Sequence, residues 1–141
     1  MGSFLIFPLL AFSVILFAIL SITGIGASET GGWYDIQAAV LPLVTDKWEV
    51  TFGDLFIAGS MGLLFIELLR STQTGTDSII NHVLSFLTFV IALLLFILAP
   101  GFGNSTFFLI VIMTMMDLVA GFIVTTVTAR RDFGVAESVV R

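Results

Sequence analysis

The chain has 141 residues, of which 58% are hydrophobic and only 11% charged, and it carries a formal net charge of −5. A water-soluble domain of this length could not hide so much apolar surface, so lipid is the expected solvent. The acidic balance argues against nucleic acid as a partner, and the absence of cysteine excludes disulfides and thiol chemistry.

Four long apolar runs set the architecture: Phe4 to Thr23, Phe52 to about Arg70, Ile79 to Ala99 and Phe107 to Thr128. About 20 helical residues cross a hydrocarbon core of roughly 30 Å. The sequence therefore predicts an all-α integral membrane protein: four transmembrane helices in an up-down bundle, forming one domain over residues 1–141. The first run lacks a positively charged lead and exceeds a usual signal-peptide core, so it reads as an uncleaved span.

The connection from 24 to 51 is the only sizeable loop. It holds Trp33, Tyr34 and Trp48, residues that favour the headgroup region. Trp33, Ile36, Val40 and Val44 recur at helical spacing, which predicts a short interfacial helix over Trp33 to Leu41.

The second span opens with Thr51 and Asp54, a capping-box pair. Caps are also offered by Thr76-Asp77-Ser78 for the third span and Asn104-Ser105-Thr106 for the fourth. The first span ends in Gly24-Ile25-Gly26-Ala27-Ser28 and the third in Gly101-Phe102-Gly103-Asn104-Ser105. The shared Gly-apolar-Gly-x-Ser pattern suggests two parallel-oriented hairpin repeats. The plainer explanation is that glycine commonly ends helices.

Basic residues orient the bundle. Arg70, Arg130, Arg131 and Arg141 fall on one side and Lys47 alone on the other. The positive-inside rule then places both termini, the 71–78 loop and the 129–141 tail in the cytoplasm. A bacterial inner membrane is the expected location.

The polar residues inside the spans are the candidate functional residues. Asp117 falls near the middle of the fourth span, where a charged Asp costs about 2.5–3.5 kcal/mol on insertion scales. Thr114, Asp117, Gly121, Thr125 and Thr128 share one helical stripe. Asn81, Ser85, Thr88 and Ala92 make a similar stripe on the third. Counting from the span ends puts Thr88 and Ser60 level with Asp117, so a central cluster of Asp117, Thr88, Ser60 and Thr114 is expected.

A second cluster, Glu67, Arg70, Asn81 and His82, is expected nearer the cytoplasm. There Glu67 and Arg70 can pair at i, i+3 while Arg70 snorkels outward. Ala58, Gly59, Gly62 and Gly121 are candidate helix-packing positions, with Ala58 and Gly62 in small-xxx-small spacing.

One histidine and no cysteine cannot build the usual zinc or haem sites, so no cofactor is expected. Met61, Met113, Met115 and Met116 read as adaptable packing residues. No hydrolase triad, phosphate loop or dinucleotide fingerprint appears.

Two functions fit. One is a non-catalytic subunit or scaffold of a larger membrane complex or homo-oligomer, its partners being lipid and other membrane chains or itself. The alternative is an oligomeric ion or proton channel or transporter that uses Asp117.

Overall fold

The structure is a computed structural model that describes residues 7–25, 31–71 and 76–139. It is mostly helical. Helix α1 (Leu9–Thr23) is followed by a 3-10 turn (Trp33–Asp35) and strands β1 (Gln37–Pro42) and β2 (Lys47–Thr51). Helices α2 (Phe52–Ser71), α3 (Thr76–Leu98) and α4 (Ser105–Val139) complete the chain.

Three helices are long and apolar enough to cross a membrane: Phe52–Ser71, Ile80–Leu98 and Ser105–Val124. Helix α1 is shorter. Its 15 residues span about 22 Å at 1.5 Å per residue, less than a bilayer core. The expected start of that span, before Phe7, lies outside the described residues. Helix α4 continues through Val139, past the expected span end at Thr128.

Helix ends follow local chemistry. Thr51 and Asp54 form the expected reciprocal pair: the Asp54 N–H donates to Thr51 Oγ1 at 3.1 Å, and the Thr51 N–H donates to Asp54 Oδ2 at 2.9 Å. Asn104 caps α4 by accepting from the Phe107 N–H at 2.9 Å. Gly24 (φ 64°) and Gly101 (φ 85°) are the only positive-φ residues among those described, and each stands just past a helix end. That is the left-handed stop glycine makes at least strain. The rest of the first motif, Gly26 to Ser28, lies outside the described residues, as does Arg141. The side chains of Thr76, Asp77, Ser78, Thr125, Thr128, Arg130 and Arg131 also lie outside the description.

The interfacial helix expected over Trp33 to Leu41 is not formed. In its place β1 pairs antiparallel with β2, from Gln37 opposite Thr51 to Pro42 opposite Lys47, with an irregularity between Gln37 and Ala39. The physical reason lies at both ends of the segment. Gly31-Gly32 precede it, and Pro42 biases Leu41 toward extended backbone. Nine residues are too few to repay helix nucleation. Val40, Leu41, Trp48 and Val50 suit strands, and a tight turn joins them through Leu43 N–H to the Asp46 carbonyl at 2.8 Å.

The buried core gathers Leu10, Val14 and Phe17 of α1 with Trp33, Leu64, Ala92 and Phe102. From α4 it takes Phe107, Ile110, Val111 and Met113. Phe17 sits at its centre with no exposure. Its ring meets those of Trp33, Tyr34, Phe56, Phe102 and Phe107 at centroid distances of 4.8–5.9 Å. At the same end Gly53 lets α2 approach both the Tyr34 carbonyl and the Thr106 hydroxyl; a Cβ there would stand 2.8 Å from each. Large apolar side chains such as Phe12, Ile19, Phe65, Leu94 and Phe122 point outward, as expected where the surroundings are lipid.

Candidate functional site: a buried polar cluster

Glu67 has 0% exposure. It lies one turn before the end of α2 on the face that also buries Ser60, Leu64 and Ser71. A carboxylate so placed needs partners, and it has three. Its Oε2 accepts from the Leu9 N–H, the first helical N–H of α1. Its Oε1 accepts from Asn81 Nδ2 of α3 at 2.8 Å. Arg70, one turn further on, approaches with Nη1 3.8 Å from Oε2 and also donates to the Phe7 carbonyl at 3.4 Å.

Glu67 therefore ties three helices. Pro8 occupies the N-cap of α1 and offers no side-chain cap. The Leu9 N–H, one of the donors left without a partner inside the helix, is served by a carboxylate 58 residues away.

The cluster continues along α3 toward α4. Ser85 follows Asn81 by four residues, on the same face, and both are buried, at 2% and 6% exposure. Asp117 of α4, 4% exposed, interacts with Ser85 and lies within the fields of Glu67 and Arg70. Ser85 Oγ still completes no hydrogen bond of full geometry, and Asn81 Oδ1 makes none. His82 feels the charge of Glu67. Its ring lies against Gly121 so closely that any Cβ at 121 would collide with it.

The two groups expected from sequence are thus one connected set in part and separate in part. Glu67, Arg70, Asn81, His82 and Asp117 come together, and Ser85 joins them. Ser60 turns elsewhere: its hydroxyl donates to Ser13 Oγ of α1 at 3.0 Å. Thr88 and Thr114 bond back to carbonyls of their own helices, Leu84 and Val111, at 2.9 and 2.8 Å. Ser13 and the Leu9 N–H were not among the expected site residues, and Ser85 was expected on the α3 stripe but in neither cluster. Ser13 stands alone in an apolar run, and the Leu9 N–H carries no side-chain signal. Of the packing candidates, Gly121 is covered by His82, whereas a Cβ added at Gly59 or Gly62 would meet nothing within 4 Å.

Chemically, the arrangement gathers oxygen acceptors and one guanidinium in a buried interhelical seam. Among the described residues no group of three or more His, Asp or Glu side chains has metal-binding placement.

These features define a small helical membrane protein with a buried polar seam. No protein-family model matches the chain, and no curated protein or solved structure matches it either.

Proposed function

We propose that the chain is a four-span, non-catalytic membrane subunit that packs through α2 against a helix of a second membrane chain, a copy of itself or a component of a larger complex. The supporting observation is the uncovered face of α2. Leu55, Ala58, Gly59, Gly62, Ile66 and Leu69 are exposed there at helical spacing. Ala58 and Gly62 give that face a small-xxx-small notch with nothing of this chain in it. In lipid, apolar surface alone drives no association, and small residues that admit a neighbouring backbone do. The distribution of arginine in the sequence supports both termini on the cytoplasmic side and the hairpin outside; a bacterial inner membrane fits the compactness of the chain.

Native mass measurement in mild detergent tests this. The parent should run as an assembly, and Gly62→Leu should fall apart into monomers that are still folded and unfold cooperatively. A parent that is monomeric when extracted directly from its own membrane would overturn the reading.

The second reading, an oligomeric ion or proton channel or transporter, draws on a different observation: Asp117 shares its buried seam with Glu67 and Ser85. Intramembrane carboxyls commonly line ion paths. Flux in liposomes that is lost in Asp117→Asn would favour it.

A further inference from the structure

Two buried oxygens in the seam stand out: Asn81 Oδ1 has no hydrogen-bond partner, and Ser85 Oγ, beside the Asp117 carboxyl, completes no bond of full geometry. Both belong to side chains more than nine-tenths buried. They are one turn apart on the same face of α3, so their Cβ atoms are about 5–6 Å apart. The Asn81 amide is pinned by its Nδ2 bond to Glu67 Oε1, so its oxygen is not free to turn toward another partner. Ser85 is held beside the Asp117 carboxyl. An orphan polar atom in such surroundings costs free energy, and two side by side call for a shared partner.

The charges point the same way. Two carboxyl groups, Glu67 and Asp117, share the seam with a single guanidinium, Arg70. An uncompensated charge between packed helices is costly. The donors are carboxylate, amide and hydroxyl oxygens, the set that suits a hard cation. Two carboxyls beside one guanidinium suit a monovalent rather than a divalent ion. A proton on Asp117 would offer a hydrogen bond to only one of the two orphan oxygens, whereas a cation serves both at once.

We propose that Glu67 Oε1, Asn81 Oδ1, Ser85 Oγ and the Asp117 carboxylate together hold one monovalent cation of sodium size between α2, α3 and α4. The site stands independently of the α2 assembly face and does not require the subunit reading.

The test uses the full chain in mild detergent at a fixed, mildly alkaline pH. Sodium chloride replaces choline chloride at constant ionic strength while the unfolding temperature is followed. Binding to the folded state should raise it with a saturable dependence on sodium. Ser85→Ala removes one small ligand and should shift half-saturation upward about tenfold, as loss of one contact to a charge implies. Asp117→Asn should abolish the response, and Glu49→Gln, on the exposed hairpin strand, should leave it unchanged. If Asp117→Asn does not fold, Ser85→Ala together with the sodium-23 linewidth of the parent decides the matter. A parent indifferent to sodium overturns the site, as does a response that survives unaltered in Ser85→Ala. Stabilisation by acid alone, without a sodium response, would make Asp117 a proton site and overturn it too.

Discussion

The backbone N–H of Leu9 donates to the side chain of Glu67, so the start of α1 is capped by the far end of α2. A local contact normally does this work. Here it also fixes how the two helices meet, because the same carboxylate is held from the other side by Asn81 and Arg70.

Replacing Glu67 should therefore be among the most damaging single changes in the chain. Glu67→Leu strands the Leu9 N–H and the Asn81 amide and takes from Arg70 its carboxylate, leaving the guanidinium its bond to the Phe7 carbonyl. The expected loss is about 3–5 kcal/mol, the range for breaking one side of a buried ion pair. Glu67→Gln keeps an acceptor oxygen and should cost clearly less. Denaturant titration of the purified protein measures both. A Leu variant as stable as the parent would show that the cap contributes nothing.

Ser13 and Ser60 form a simpler tie between α1 and α2, with both side chains buried. Either alanine substitution leaves one hydroxyl orphaned and should cost about 0.5–1.5 kcal/mol. The double alanine variant removes both partners and should lose less than the two single losses added. Strict additivity in that double-mutant cycle would mean the two hydroxyls do not interact.

Gly121 and Gly62 should respond in opposite ways to the same substitution. A methyl at 121 collides with the His82 ring and should force α3 and α4 apart, at a cost of about 1–3 kcal/mol. His82→Ala should relieve much of that cost in the double variant. A methyl at 62 meets nothing in this chain, so Gly62→Ala should leave unfolding unaffected or raise stability by up to about 1 kcal/mol through helix propensity. Thermal unfolding of the four variants decides it. Equal losses at 121 and 62 would mean the two faces are not packed as described.

How far the fold was legible depended on whether its signal was local. The Thr51–Asp54 box, the Asn104 cap and the stop glycines at 24 and 101 are local chemistry, and each stands where the residues indicated. The hairpin was not legible, because spacing of apolar residues over 33–44 suits a helix while the pairing that wins is between segments. The polar seam was half legible. Asp117, Glu67 and Asn81 announce themselves by being polar in apolar runs. Which hydroxyl faces Asp117 depends on the register of α3 against α4. Phe96 against Phe108 and His82 against Gly121 set that register. It brings Ser85 opposite Asp117 and leaves Thr88 about one turn away, a shift that counting from span ends could not see. Ser60 lies on the α2 face turned to α1, so Ser13 takes it.

Phe17 provides the last prediction, because no property of the residue itself distinguishes it from the other fourteen phenylalanines. Its ring, on α1, is where the 3-10 turn, α2, the turn before α4 and α4 itself converge. Removing it should open a cavity at a point where four separate segments would have to move to fill it, so little relaxation is available. Phe17→Ala is expected to cost about 3–5 kcal/mol. Phe12→Ala, whose side chain is 58% exposed, should cost far less. The optical consequence separates the two tryptophans. Trp33 is packed edge-on against Phe56, tilted against Phe17, and its Nε1–H donates to Ser21 at 3.3 Å; Trp48 lies half exposed on the hairpin. Phe17→Ala should therefore erase the near-ultraviolet dichroism contributed by Trp33 and make its emission accessible to quenchers, while Trp48 emission stays as it was. Single-tryptophan variants, Trp48→Phe and Trp33→Phe, assign the signals. An unchanged Trp33 signal in Phe17→Ala would mean that the ring cluster is not what anchors the hairpin to the bundle.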